Sequence, residues 1–398
     1  MIIQSMLDND LYKFTMMQAV LHQFPGAEVE YRFKCRTEGV DFRPYEDKIA
    51  REIYTMEKLP GLSHGELDYL GGLRFFKKDF IHFLKMFRFD PREYIWVVAN
   101  NKGELNIHIK GPWLQTILFE VPILAIVSEV YSHEQKPNYS TAIDRMNEKI
   151  KLVQANAGWQ QWPFLFAEFG TRRRHDLDWQ IDLLQNLKAN LPFNLVGTSN
   201  VLLAKEMDLT PIGTMAHEWI QAHQALYRVA DSQFMAFENW AKEYRGDLGI
   251  ALSDTIGLGS FLHDFDMYFS KLFDGTRQDS GSPVEYANQM IKHYESMKID
   301  PTTKTIVFSD GLTMEIALNL WKVYAGKIRT SFGIGTHLTN DFNYKPLQIV
   351  LKMIKCNGQP VAKLSNSPGK TMCEDINYLA YLVETFKKRV ESWSGKHG

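Results

Sequence analysis

The sequence predicts an α/β protein: an opening α+β unit followed by a longer region in which strands and helices alternate. Three observations predict it. Residues 1–122 pair two helical patterns with short, half-polar strand patterns. Beyond Pro122, helical patterns alternate with short β-rich segments, which argues for parallel strands in a barrel-like or doubly wound sheet. Those segments end repeatedly in Gly or Asp, at the C-terminal strand ends where such folds build their sites.

Each element has its own reason. Asp10 to Phe24 is a helix, with Leu11, Phe14, Thr15, Gln18, Ala19 and His22 on neighbouring turns and Pro25-Gly26 as the stop. In Glu28 to Arg36, Val29, Tyr31, Phe33 and Cys35 alternate with polar residues, the signature of a half-buried strand. Phe75 to Phe87 carries aromatics at helical spacing. Tyr94 to Val98 and Leu105 to Ile109 form a strand pair around Asn101-Lys102-Gly103. Helices follow at Ile123 to Glu134, Ala142 to Gln154 and Val201 to Met207. Between and after them come the strands Phe166 to Gly170, Leu195 to Thr198, Ile250 to Asp254, Thr305 to Asp310 and Ile328 to Gly333. No internal repeat or Pro/Gly/Ser-rich linker interrupts the 398 residues.

Composition narrows the class. A formal charge of −2 gives no electrostatic footprint for nucleic acid or membrane as the main partner. Cys35, Cys356 and Cys373 are far apart and read as reduced thiols, not as a disulfide framework. The N-terminus lacks the basic start and apolar run of a signal peptide, and Val121 to Val127 is the longest apolar stretch, too short for a bilayer. A cytoplasmic protein is expected, and the sequon Asn138-Tyr139-Ser140 is a chance match.

Three segments imitate known motifs and fail on spacing. Ser367 to Thr371 reads like the end of a P-loop, but Leu364 stands where the first Gly belongs. His217-Glu218 is followed by His223, six residues on instead of four, so the imidazoles lie on different helix faces and make no zinc pair. Gly333-Ile334-Gly335 lacks the third Gly of a dinucleotide fingerprint. Other segments carry chemistry but each has an ordinary alternative. Arg172-Arg173-Arg174 after Phe169-Gly170-Thr171 is a solvated basic turn or an anion site with bidentate forks. Ser309 to Leu312 and Ser331 to Thr336 are phosphate-cradling turns or simply tight ones. Arg277 to Pro283 sets a cation beside a carboxylate in a turn-rich segment. Asp254, Asp279 and Asp310 at strand ends would suit Mg²⁺ held with a polyphosphate.

Taken in order, Leu7 to Lys13, Phe169 to Arg174, Gly197 to Asn200, Gly213 to Glu218 and Arg277 to Gly281 closely resemble the nicotinate phosphoribosyltransferase family. Ser331 to Thr336, Lys345-Pro346-Leu347 and Lys363 to Lys370 extend the resemblance over nearly the whole chain. It implies the irregular α/β barrel of the type II phosphoribosyltransferases over residues 123–344, plus an α/β domain from 1–122 joined by about 345–398. It also implies a homodimer with shared active sites, and an ATP-dependent, ligase-type reaction of NAD biosynthesis.

The same resemblance implies site residues. His217 is the histidine phosphorylated by ATP, with Glu218 beside it as orienter; Phe169 and Tyr12 sandwich the pyridine ring, Tyr12 from the neighbouring subunit. Arg172 faces the carboxylate of nicotinate, with Thr198 and Ser199 near it. Arg277 and Mg²⁺ stabilise departing pyrophosphate, while Asp279, Asp254 and Ser280 orient ribose, metal or water. Asp310, Gly311, Gly333, Gly335 and Thr336 hold the ribose 5-phosphate of phosphoribosyl pyrophosphate. Two positions depart from the pattern: Ser282 stands where an acid is expected, and Gly311 where a larger polar residue is common. Two rival readings remain. A nicotinamide-using relative would carry Asp at Ser199, which would repel a carboxylate. A catalytically silent nucleotide-binding barrel would have little use for His217, Arg277 and Asp279.

Overall fold

The structure, a computed structural model, describes residues 1–157, 161–364 and 372–397. Residues 365–371, and with them most of the Lys363 to Lys370 segment and the P-loop look-alike, lie outside the described residues. The chain opens with β1 (Glu28–Cys35), β2 (Ile95–Ala99) and β3 (Leu105–Pro112). There follow β4 (Phe166–Glu168), β5 (Leu195–Thr198), β6 (Arg245–Leu248), β7 (Ile250–Leu252), β8 (Gly275–Gln278), β9 (Thr305–Phe308) and β10 (Arg329–Ile334). Two late strands, β11 (Ile349–Cys356) and β12 (Gln359–Pro360), complete the set among the described residues.

Two sheets result. The first is antiparallel, in the order β12-β11-β1-β3-β2, so a strand from residue 349 onward pairs directly with the first strand of the chain. Val29, Tyr31 and Phe33 of β1 are buried, as the alternation predicts. The second sheet is parallel, in the order β5-β4-β10-β9-β8-β7. Its edge strands β5 and β7 do not pair, so no hydrogen-bonded ring closes among the described residues. Residues 210–214 span the gap instead: the Thr198 N–H donates to the Thr210 carbonyl, and the Thr214 hydroxyl donates to the Ile250 carbonyl. This segment leads straight into the helix His217–Leu226.

The sequence pattern missed β8, reading it as part of a turn, because Gly275-Thr276-Arg277-Gln278 shows no apolar alternation. Its identity comes from its neighbours. A Cβ at Gly275 would lie 1.9 Å from the Thr305 carbonyl oxygen, so only glycine lets β8 enter beside β9. One helical stretch, Trp113–His133, is also longer than the apolar run in the sequence suggests and could span a bilayer by length and composition. Of its 18-residue apolar window, 89% is buried inside the protein, as a core element.

Candidate active site

Five of the six strands of the parallel sheet, all but β7, end at one cavity of about 360 Å³. Its floor is the loops after β4, β5, β8, β9 and β10; its far wall is Gln348 to Met353 of the antiparallel sheet. The site therefore lies between the two sheets, at the C-terminal strand ends, as in other open α/β proteins.

Of the residues singled out from sequence, Tyr12, Phe169, Arg172, Ser199, His217, Glu218, Arg277, Asp279, Gly311, Gly333, Gly335 and Thr336 line this cavity. His217 is the first residue of its helix, and its Nε2 lies 2.9 Å from Asp254 Oδ1 and 3.7 Å from Asp279 Oδ2. Asp254 is in turn held by Ser280 Oγ and Lys363 Nζ, both donating to Oδ2 at 2.6 Å. Burial raises the Asp254 carboxyl, but His217 and Lys363 outweigh it and hold the group well below the usual carboxylate range. Burial, then the Lys363 cation, keeps His217 below the ordinary imidazole value, so the ring is neutral at pH 7. Ser309 donates to Asp279 Oδ1 at 2.9 Å. Arg277 Nε is buried without a hydrogen-bond partner, an unanswered donor at the cavity wall.

Several expectations need correction. Glu218 does not orient His217: its carboxylate accepts from Lys13, from Trp113 Nε1 at 3.0 Å and from Tyr31 Oη at 3.2 Å. Consecutive helical residues point about 100° apart, so a neighbour in sequence rarely serves its neighbour's ring. Asp310 does not converge with Asp254 and Asp279; the third member of that group is His217, and Asp310 acts on Arg36 and Arg173 instead. Thr198 and Ser280 stand behind the wall: Thr198 Oγ1 donates to Glu168 at 2.6 Å, and Ser280 supports Asp254. Gly333 belongs to β10, where its missing side chain makes room for the Phe169 ring. A Cβ there would sit 2.3 Å from Phe169 Cδ2. Ser282 has an ordinary job, accepting the Glu285 N–H at 3.3 Å as a helix cap. Tyr12 lines the cavity of its own chain, fixed there by Lys13 next to it, which is fully buried between Glu120 and Glu218. The third wheel of the arginine run also differs: Arg174 is buried and forks onto Asp8 at 2.7 and 2.8 Å.

Four cavity or near-cavity residues had been assigned no role. Asp10 accepts from Ser199 Oγ at 2.8 Å, and burial raises its carboxyl against the pull of Arg172. Glu120 lies 3.5 Å from Arg172 Nη1. Lys352 lines the wall, its ammonium pushed down to about 7 by burial and the Lys363 and Arg36 cations. Lys363 grips Asp254. Asp10 and Lys363 lie inside the segments that carry the family resemblance, which is the available signal. Glu120 and Lys352 carry none, since one is on a core helix and the other on a strand.

Would Mg²⁺ fit? Both Asp254 oxygens are occupied by His217, Ser280 and Lys363, leaving Asp279 as the one carboxylate of the group open toward the cavity. One protein carboxylate suits an ion that arrives on a polyphosphate rather than one caged by protein.

Known proteins are similar to this chain in sequence and fold. The N-terminal domain of the nicotinate phosphoribosyltransferase family matches residues 7–128, and the family's main domain matches 164–390. Nicotinate phosphoribosyltransferase of Xylella fastidiosa (strain Temecula1) is 54% identical over 97% of this chain and 98% of its own length. The enzyme of that name from Burkholderia mallei is 54% identical over 97% of each chain. Among solved structures, nicotinate phosphoribosyltransferase from Vibrio cholerae superposes with a TM-score of 0.93 at 39% identity, covering 100% of this chain and 98% of that one. The Porphyromonas gingivalis protein gives 0.91 at 35% identity over 97% and 100%. With two sheets, a shared cavity and these likenesses in agreement, the chain belongs to the nicotinate phosphoribosyltransferase family.

Proposed function

We propose that the chain joins nicotinate to phosphoribosyl pyrophosphate, releasing nicotinate mononucleotide and pyrophosphate, with ATP hydrolysis coupled through a phosphohistidine at His217. One observation carries the reading: His217, held by Asp254, shares a single cavity with Phe169, Tyr12 and Arg172. The pyridine ring fits between aromatic faces, and the half-exposed Arg172 guanidinium meets the carboxylate. The pyridine nitrogen lone pair attacks ribose C1 as the C1–oxygen bond to pyrophosphate breaks. Arg277, with its unanswered Nε–H, meets the departing charge. Asp279 would hold a Mg²⁺ ion bound to the polyphosphates, and that ion would neutralise phosphate charge.

Because Asp254 holds Nε2, Nδ1 of His217 keeps the lone pair that would attack the γ-phosphorus of ATP, expelling ADP. Water later takes the phosphoryl group. The product belongs to NAD biosynthesis, and we place the protein in the cytoplasm, as a homodimer in which each cavity uses its own Tyr12. The preference for the acid does not come from a lack of carboxylates, since Asp10 accepts from Ser199 Oγ; burial raises its carboxyl, which weakens its repulsion of a substrate carboxylate.

The test is an incubation with phosphoribosyl pyrophosphate, Mg²⁺ and ATP, giving either nicotinate or nicotinamide and measuring product mass. Nicotinate mononucleotide should form, and His217→Ala should lose phosphoryl label from ATP while retaining slow, ATP-independent synthesis. Product from the amide alone, or full labelling of the variant, overturns the reading.

A further inference from the structure

Away from the cavity, the end of the helix Glu120–His133 meets the start of the helix Leu177–Asn190 in a cluster of donors. His133 Nε2 lies 3.1 Å from Asp176 Oδ2, and His175 Nε2 lies 3.3 Å from the same oxygen. The three ligand atoms fall within 4.8 Å of one another. Tyr139 Oη sits 3.0 Å from His175 Nε2 and 3.2 Å from Asp176 Oδ2. Zinc–nitrogen and zinc–oxygen bonds of about 2.0–2.1 Å give tetrahedral edges of about 3.3 Å, close to the distances of both imidazoles from Asp176 Oδ2.

The surroundings prepare the donors as those of a metal site are prepared. Asn340 is fixed in orientation, its Nδ2 donating to the Arg173 carbonyl at 2.9 Å and to Ser132 Oγ at 3.3 Å. Its Oδ1 therefore takes the Tyr344 hydroxyl proton at 2.6 Å. Tyr344 Oη can then only accept from His175 Nδ1, 2.7 Å away, so the neutral ring presents a bare Nε2 to Asp176 and Tyr139. Asp176 Oδ1 is spent on capping the Trp179 N–H at 2.7 Å, which leaves Oδ2 for the cluster. Glu129 Oε2 is buried nearby without a hydrogen-bond partner, 3.8 Å from Arg174 Nε. Solvent reaches the cluster through His133, whose side chain is 43% exposed.

We propose that His133, His175 and Asp176 form a binding site for a borderline divalent transition metal of the Zn²⁺ class, with Tyr139 at the fourth corner. Two imidazoles and one carboxylate in tetrahedral array favour Zn²⁺, Co²⁺ or Ni²⁺ over Mg²⁺, which demands oxygen ligands in octahedral geometry. A bound ion would replace the protons shared in this cluster and pin the two helices together. The turn Thr171–Arg173, which carries Arg172, lies just before the site in the chain.

Metal-free full-length protein titrated with Co²⁺ provides the test, because four-coordinate cobalt absorbs visible light far more strongly than the hydrated ion. One strong site is expected in the wild type, lost in both His133→Ala and Asp176→Asn and kept in Asp279→Asn, which alters the catalytic cavity. Tyr344→Phe should weaken binding by about 10–100-fold. His133 is a surface residue outside the catalytic machinery, so His133→Ala should keep its nucleotide synthesis and serve as the folded control. The proposal is overturned if the wild type gives no four-coordinate signal, if either ligand variant retains it, or if Asp279→Asn abolishes it.

Discussion

Three consecutive arginines follow Thr171, and each meets a different partner. Arg174 is buried on Asp8, Arg173 donates to the Ile349 carbonyl and to Gln348, and Arg172 reaches the cavity beside Glu120. Only Arg172 can thus supply a fork to a bound carboxylate. A hydrogen bond to a charged group is worth about 1.5–3 kcal/mol, so Arg172→Ala should lower kcat/KM for nicotinate roughly 10- to 150-fold. ATP-dependent labelling of His217 should be nearly unchanged; a variant with normal nicotinate kinetics would remove Arg172 from acid recognition. His217 allows a pH prediction. Its folded pKa is depressed by burial and Lys363, so the neutral ring persists below the free imidazole value of about 6.5. Labelling by ATP needs that neutral ring and should fall only at pH below about 6.5. Lys363→Met removes a lowering charge and should move the acid limb upward. A wild-type limb above the free value, or no upward movement in the variant, would contradict this electrostatic account.

At the scale of elements, most strands announced themselves. Alternation located β1, and the flanking Gly and Asp residues located β4, β5, β7, β9 and β10 within a residue or two. β8 was hidden because a central strand with buried Thr276 and Gln278 has no apolar signature of its own. Glycines were visible in the sequence, but their purpose was not. Gly333 lies under the Phe169 ring, so its role is to seat an aromatic face rather than to open a phosphate loop. Gly333→Ala should push that ring into the cavity, an overpacking that costs about 1–3 kcal/mol. The expected result is a raised KM for nicotinate with ATP labelling retained, measured by steady-state kinetics. Unaltered nicotinate kinetics would mean that the ring moves aside without consequence.

For the whole molecule, the decisive fact is that both sheets contribute to one cavity in one chain. β11 pairs with β1, carrying Lys352 to the wall opposite the parallel strands, while residues 8–13 dock onto β5 through bonds such as Leu11 N–H to the Ser199 carbonyl. Tyr12 thereby lines the cavity of its own chain. Mixing Tyr12→Ala chains with Arg277→Ala chains should accordingly leave activity at the level of the parents. If Tyr12 crossed a symmetric interface instead, half the dimers would regain one intact site and activity would return to about a quarter of wild type. Recovery of that size, with subunit exchange verified by a tag, would overturn the single-chain site.

The sequence by itself determined the α/β class, the alternation of strands and helices, the family resemblance and most of the residues around the cavity. These were legible because periodicity is local and because ordered motifs survive as text. Only the tertiary structure decided who serves whom. His217 is held by Asp254, 37 residues away, and not by the adjacent Glu218, which Lys13 claims from 205 residues away. Side-chain partners are set by the packing of distant elements, and a low-dielectric interior gives strength to whichever charges that packing brings together. No periodicity records such pairings, so Glu120, Lys352 and the hold of Lys363 on Asp254 emerged only once the two sheets had closed over the cavity.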